Sequence, residues 1–215
     1  RVSNRGLKKK LSEYQEYGII VDVTMYQPDR IQCDDTPDIT ADGTRIRIHK
    51  ASEYKFVALS RNLLKRWGGP FDYGDFILIR DAGHKDGVYQ VRDTMNPRFT
   101  KRVDILKSKG SRKFKYNSVK LYKFDYVDDN GSDSNNGLTD STPFATLSQA
   151  ISTATSGTAT IINVGAGTYT EHTVNVNKSN LTIRGAGSSS TIFDCNTTNK
   201  GFMKLLGGLE LKQIS

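Results

Sequence analysis

The amino-acid composition breaks at about Tyr126, because 44 of the 90 residues from 126 to 215 are Gly, Ser, Thr or Asn. A domain boundary belongs there. The chain's 215 residues exceed the usual single-domain length of roughly 100–150, so two domains are expected. Charge divides at the same place: residues 1–125 carry a net +10 and residues 126–215 a net −2 within an overall +8. The first part therefore favours an anionic polymer. No apolar run approaches the roughly 20 residues that cross a bilayer, so no membrane span is expected, and residues 1–20 lack the apolar core of a signal peptide. The chain opens on Arg1 rather than Met, from which a preceding segment is expected.

Ahead of the break, Leu7, Leu11 and Tyr14 recur at helical spacing, so residues 1–19 read as a basic amphipathic helix or linker. Seven β-like runs follow over 20–124: GIIVDVTMY, TRIRIH, KFVALS, DFILIRDA, GVYQVRD, RVDIL and VKLYKF. They predict a small β-barrel or sandwich, with a helical turn at Arg61–Trp67 and a hairpin from Ile79 to Val88. Residues 125–141 read as a linker. Thr142 and Pro143 then mark a helix start, and Leu147, Ala150, Ile151 and Ala154 share one face of that helix. Beyond it, TIINV, HTVNV, LTIRG, TIFD, FMKLL and LELKQI recur about every ten residues. Thin strands at this spacing, three to a coil, suit the start of a right-handed parallel β-helix over 142–215, with an ordinary sandwich as the alternative. About two coils fit, whereas solenoids usually need about three repeats. Further chain, or a partner covering the coil at Leu209–Ile214, is expected. The fold class is thus mainly β: a barrel, a capping α-helix and the first coils of a β-helix.

Two resemblances sharpen this reading. The segments VTMY (Val23–Tyr26), TADG (Thr40–Gly43), FVALS (Phe56–Ser60), YGDFILI (Tyr73–Ile79) and VRDTMNPRFTKRVDIL (Val91–Leu106) resemble the double-psi β-barrel of RlpA-like, MltA-like and three-aspartate lytic transglycosylases. Asp93 and Asp104 match that family's acidic pair. Its glycine pair is absent at Met95 and Asn96, and Ser60 stands where the family has a third aspartate. The second half resembles the opening of pectate-lyase-like β-helix proteins, through Pro143-Phe144-Ala145-Thr146, Gly167-Thr168-Tyr169 and Glu171. A basic barrel fused to a β-helix resembles tail-associated proteins of tailed bacteriophages.

The first resemblance implies a peptidoglycan-directed protein that cleaves the bond between N-acetylmuramic acid and N-acetylglucosamine without water. Asp104 would be the catalytic acid, and Asp93 the partner whose charge raises its pKa. Thr24, Tyr26, Tyr89, Arg92 and Arg102 are the candidate substrate contacts, with Tyr54, Trp67, Phe71 and Tyr73 as further members of an aromatic platform. Arg92, Arg98, Lys101 and Arg102 would hold carboxylates of the glycan, although Arg102 shares the Asp104 face of its strand and would lower that aspartate's pKa. The competing reading makes Asp93 and Asp104 salt-bridged strand residues. The fusion of barrel and β-helix implies a location in a virion tail, or an extracellular one at the cell envelope. Its implied partners are peptidoglycan or another acidic envelope glycan, other tail proteins, and further copies of the chain in a trimer.

The alternative function is a non-catalytic virion tail protein whose barrel binds the wall or assembles, and whose β-helix forms a fibre or spike. Neither the acidic residues around Cys33 nor Asp128, Asp129 and Asp133 have calcium-loop spacing, and the two cysteines and three histidines suggest neither a zinc site nor a catalytic triad. No metal or cofactor is expected. No phosphate-binding glycine loop is present, and the basic run 107–115 reads as a solvated loop, so nucleic acid is not an expected partner.

Overall fold

A computed structural model describes residues 18–31, 33, 35–171, 174–187 and 189–194, together with the backbone of 203–205 and 209–213. The helix expected over residues 1–19 falls, up to 17, outside the described residues. Six strands make the first unit: β1 (Ile19–Tyr26), β2 (Phe56–Leu59), β3 (Phe76–Arg80), β4 (Gly87–Thr94), β5 (Arg102–Leu106) and β6 (Tyr116–Val127). They pair in the order β1-β5-β2-β4-β3-β6, and β6 returns to β1, so the sheet closes. Two pairs, β1–β5 and β2–β4, are parallel, and the other four are antiparallel.

Closure follows from strict alternation along each strand. Two side chains per strand point inward and fill the barrel: Val21 and Val23, Val57 and Leu59, Ile77 and Ile79, Tyr89 and Val91, Val103 and Ile105, Val119 and Leu121. β-branched and leucine side chains dominate this set, and all are buried.

The expected strand TRIRIH is not one of the six. Arg45 makes a single bridge to Ile39, and Ile48–Glu53 forms a 3-10 helix. The reason is that Ile46 packs on the outside of the barrel, with Tyr26, Ala58, Met95 and Leu106, so its apolar spacing serves a covering loop rather than a ladder. Arg61–Trp67 does form helical turns, 3-10 in type. The Ile79–Val88 hairpin is present too, with Ile79 opposite Gly87.

The boundary drawn at residue 125 lies inside β6. That strand leaves the barrel and pairs in parallel through Lys123–Val127 with β7 (Thr160–Val164). β7 in turn pairs in parallel with β10 (Leu181–Gly185), and β10 with β13 (Leu209–Gln213). Between these lie β8 (Gly167–Tyr169) beside β11 (Thr191–Phe193), and β9 (Val174–Val176) beside β12 (Met203–Leu205), again parallel. β7, β8 and β9 thus each pair with the strand three places later in the chain.

Helix α1 (Leu147–Thr153) packs Leu147, Ala150 and Ile151 onto Val127, Phe144, Ile162 and Val174. It starts later than Pro143 suggests, because Phe144 stays extended in a bridge to Val127 and Thr146 is the residue that caps Gln149. Gly137 makes this possible: its φ is +67°, and a Cβ there would overlap the Phe144 ring. Glu171, also buried, receives the Leu147 and Ser148 amides at 2.7 and 3.0 Å. This carboxylate closes the otherwise orphaned helix start. No helix among the described residues is long and apolar enough to cross a membrane.

On one face of β6 the core of the barrel gives way to the core of the stack. Leu121 belongs to the first and Val127 to the second, and between them stand Lys123 and Asp125, 7% and 2% exposed. Lys123 Nζ lies 3.5 Å from Asp75 of the barrel.

Candidate functional site

The outer face of β1, β5, β2 and β4 carries one row of side chains. Thr24 registers with Asp104 across β1–β5, Asp104 with Ala58 across β5–β2, and Ala58 with Asp93 across β2–β4. Residues opposite one another in a ladder point to the same side, so the four share a face. The last step depends on an irregularity. Val57 registers with Val91 but Ala58 with Asp93, so Arg92 is the extra residue of a bulge that turns Asp93 into the row. Ala58 between the two acids leaves space above the sheet.

That space is the floor of a trough of about 1040 Å³, at the upper end of the roughly 300–1,000 Å³ usual for ligand sites. Its walls are the loop through Pro37, Ile39 and Ala41, and the loop Met95–Phe99 that follows β4. Asp93, Asp104, Tyr26, Arg61 and Arg98 all line it.

Asp104 is half-buried, and its Oδ1 accepts a hydrogen bond from Thr24 Oγ1. Burial raises its pKa above the ordinary carboxylate value, against the lowering effects of Thr24 and of Arg102. Burial, not a neighbouring charge, is the largest cause of that rise, and Asp93 is engaged with backbone amides. Its Oδ1 receives the amides of Ala41 and Thr94, at 3.1 and 2.8 Å, and so ties the loop wall to β4. Its charge acts on Tyr26: burial first, then Asp93, raises that phenol well above the usual tyrosine value.

Arg102 does not lock the acid. Its guanidinium stacks 4.6 Å from the centroid of Phe99, which Arg98 also covers at 4.7 Å, and Asp104 has no ion pair within 4 Å among the described residues. Arg92, placed on the bulge, turns away from the trough. It donates to Asp42 at 2.9 Å and to Gln90 at 3.1 Å. Burial alone would raise Asp42, but hydrogen bonds from Thr40, Arg92 and Thr44 outweigh it and hold the carboxyl below its ordinary value. The TADG turn is therefore the clamp that fastens the loop wall to β4.

Tyr89 is not at the site. It is 3% exposed inside the barrel, and its hydroxyl donates to the Lys85 carbonyl at 2.9 Å. Phe71 is core as well. Tyr73 bonds Thr94 through its hydroxyl, Tyr54 stacks on Phe56, and Trp67 lies between Arg61 and Arg66. No aromatic platform is assembled from the expected set.

Two features were absent from the sequence reading. Arg61 enters the trough from the turn after β2, with its Nε buried and unbonded. Ser60 is fully buried, accepts from the Arg102 amide at 3.0 Å and donates to Asn62 at 2.9 Å. Asn62 in turn accepts from the Lys101 amide at 3.0 Å, at a residue with φ +47°. Ser60 thus fastens the turn that leads into β5 and the acid. Among the described residues no group of three or more His, Cys, Asp or Glu could hold a metal ion.

Residues 129–197 match a family described as a protein of unknown function, DUF1565, which is associated with pectate-lyase-like β-helix proteins. No curated protein and no solved structure matches the chain.

Proposed function

We propose that the barrel is a double-psi barrel that cleaves peptidoglycan as a lytic transglycosylase, with Asp104 as its single catalytic acid. One observation carries this reading: a half-buried carboxyl with a raised pKa and no ion pair stands in an open trough of about 1040 Å³. The two parallel pairs among six closed strands support the barrel assignment.

Thr24 holds Oδ1, so the proton of the neutral acid resides on Oδ2. Oδ2 gives it to the glycosidic oxygen as the C1–O bond breaks. The resulting carboxylate then takes the proton of the C6 hydroxyl, whose oxygen closes on C1 to leave a 1,6-anhydro ring. Water takes no part, so one acid that switches to base suffices, unlike the carboxylate pair of glycoside hydrolases. Arg61 and Arg98 hold carboxylates carried by the glycan.

The parallel strands β7–β13 are, in this reading, the first coils of a right-handed β-helix capped by α1. They mount the barrel on a rigid stem at a phage tail or cell envelope. A second reading, a wall-binding tail module without catalysis, is favoured by Asp93, whose observed bonds pin a loop.

The test is incubation of the 215-residue chain, as wild type and Asp104→Asn, with purified sacculi. Anhydro-muropeptides from the wild type alone, with both proteins sedimenting on sacculi, support the enzyme. Sedimentation without product from either leaves the binding module.

A further inference from the structure

A second charged feature lies at the rim of the barrel. Lys55 and Lys107 stand two residues beyond Val57 and Ile105, a registered pair of β2 and β5 whose side chains fill the barrel. By strand periodicity the two lysines carry that inward-facing set out to the rim. Lys85 joins them from the 3-10 turn between β3 and β4.

Aromatic rings support two of the three side chains. Lys55 Nζ is 5.4 Å from the Tyr89 ring centroid and Lys85 Nζ is 4.9 Å from that of Phe114. None of the three has a carboxylate within 4 Å among the described residues.

The acids nearby are already engaged. Asp86 accepts the Asp81 and Ala82 amides at 3.3 and 2.6 Å, Asp81 pairs with Lys120, and Glu53 with Lys50. His84 faces the Tyr116 hydroxyl. Burial first, then the charges of Lys85 and Lys55, pulls the Lys107 ammonium below its ordinary lysine value.

We propose that Lys55, Lys85 and Lys107 form a phosphate-binding site at the barrel rim, separate from the trough. Ammonium groups are compact point charges with three donors each, so three at one rim suit a tetrahedral, multiply charged group better than a planar carboxylate. The phosphate can be free or part of an envelope polymer.

The full chain is titrated with pyrophosphate at a constant ionic strength of ~0.15 M, and the lysine ε-methylene signals are followed by NMR. Saturating shifts at Lys55, Lys85 and Lys107 are expected. Lys107→Gln weakens binding by about tenfold or more, whereas Lys50→Gln and Asp104→Asn leave it unchanged. Titration with a longer polyphosphate separates the sources: equal affinity per chain marks a free or terminal phosphate, and affinity rising with length marks a polymer. Shifts spread over all lysines, no saturation, or binding indifferent to Lys107→Gln overturns the proposal. Because Asp104 takes no part in it, this site stands or falls apart from the peptidoglycan reading.

Discussion

Asp93 and Asp104 register with the same residue, Ala58, from opposite sides of β2. With strands about 4.8 Å apart, their backbones stand about 10 Å from one another across the floor of the trough. That separation explains why each acid answers to its own surroundings: Asp104 to burial and Thr24, Asp93 to the amides of Ala41 and Thr94.

The Thr24 hydrogen bond favours the ionised form of Asp104. Thr24→Val keeps the shape of the side chain but removes that bond, so the Asp104 pKa rises further. Activity that needs the protonated acid falls as pH increases through this pKa. The alkaline limb of the pH–rate profile therefore moves to higher pH in Thr24→Val, and a limb that moves down or stays fixed contradicts the assignment.

Asp125 titrates at about 6, chiefly because it is buried, with Lys123 opposing the shift. A native pKa above the unfolded value means that the folded chain holds the proton more tightly. Stability is then greatest below the ordinary carboxylate pKa and declines as pH rises from about 4 to 6. Asp125→Asn, which retains a neutral polar side chain beside Lys123 and Asp75, stabilises the fold at pH 7.5 by about 2 kcal/mol and by little at pH 4. Calorimetric unfolding at the two pH values reads the difference.

Glu171 closes the start of α1 with three hydrogen bonds, two from amides and one from the Ser148 hydroxyl. Glu171→Ala leaves those donors without the carboxylate and destabilises the stack by about 2–3 kcal/mol, seen as a lower urea midpoint. Asp133→Ala, which loses the Ala145 and Thr146 amides at an exposed position, costs less, about 1 kcal/mol.

The barrel strands were legible because two inward apolar residues alternate with outward ones in each. TRIRIH carried the same alternation and misled, since Ile46 covers the outside of the barrel. β8 escaped notice because Gly167-Thr168-Tyr169 buries only Tyr169. The family resemblance brought out Asp93 and Asp104, but their row across Ala58 depends on a bulge at Arg92 and on strands distant in sequence. For the same reason Arg92 was misplaced, Tyr89 was drawn from the core into the site, and Arg61 was overlooked.

The most direct measurement is digestion of sacculi by the full chain in water enriched in oxygen-18, with mass spectrometry of the released sugar ends. The proposed chemistry predicts 1,6-anhydro ends that carry no label, and none at all with Asp104→Asn. Labelled reducing ends, or the same products from Asp104→Asn, would contradict it.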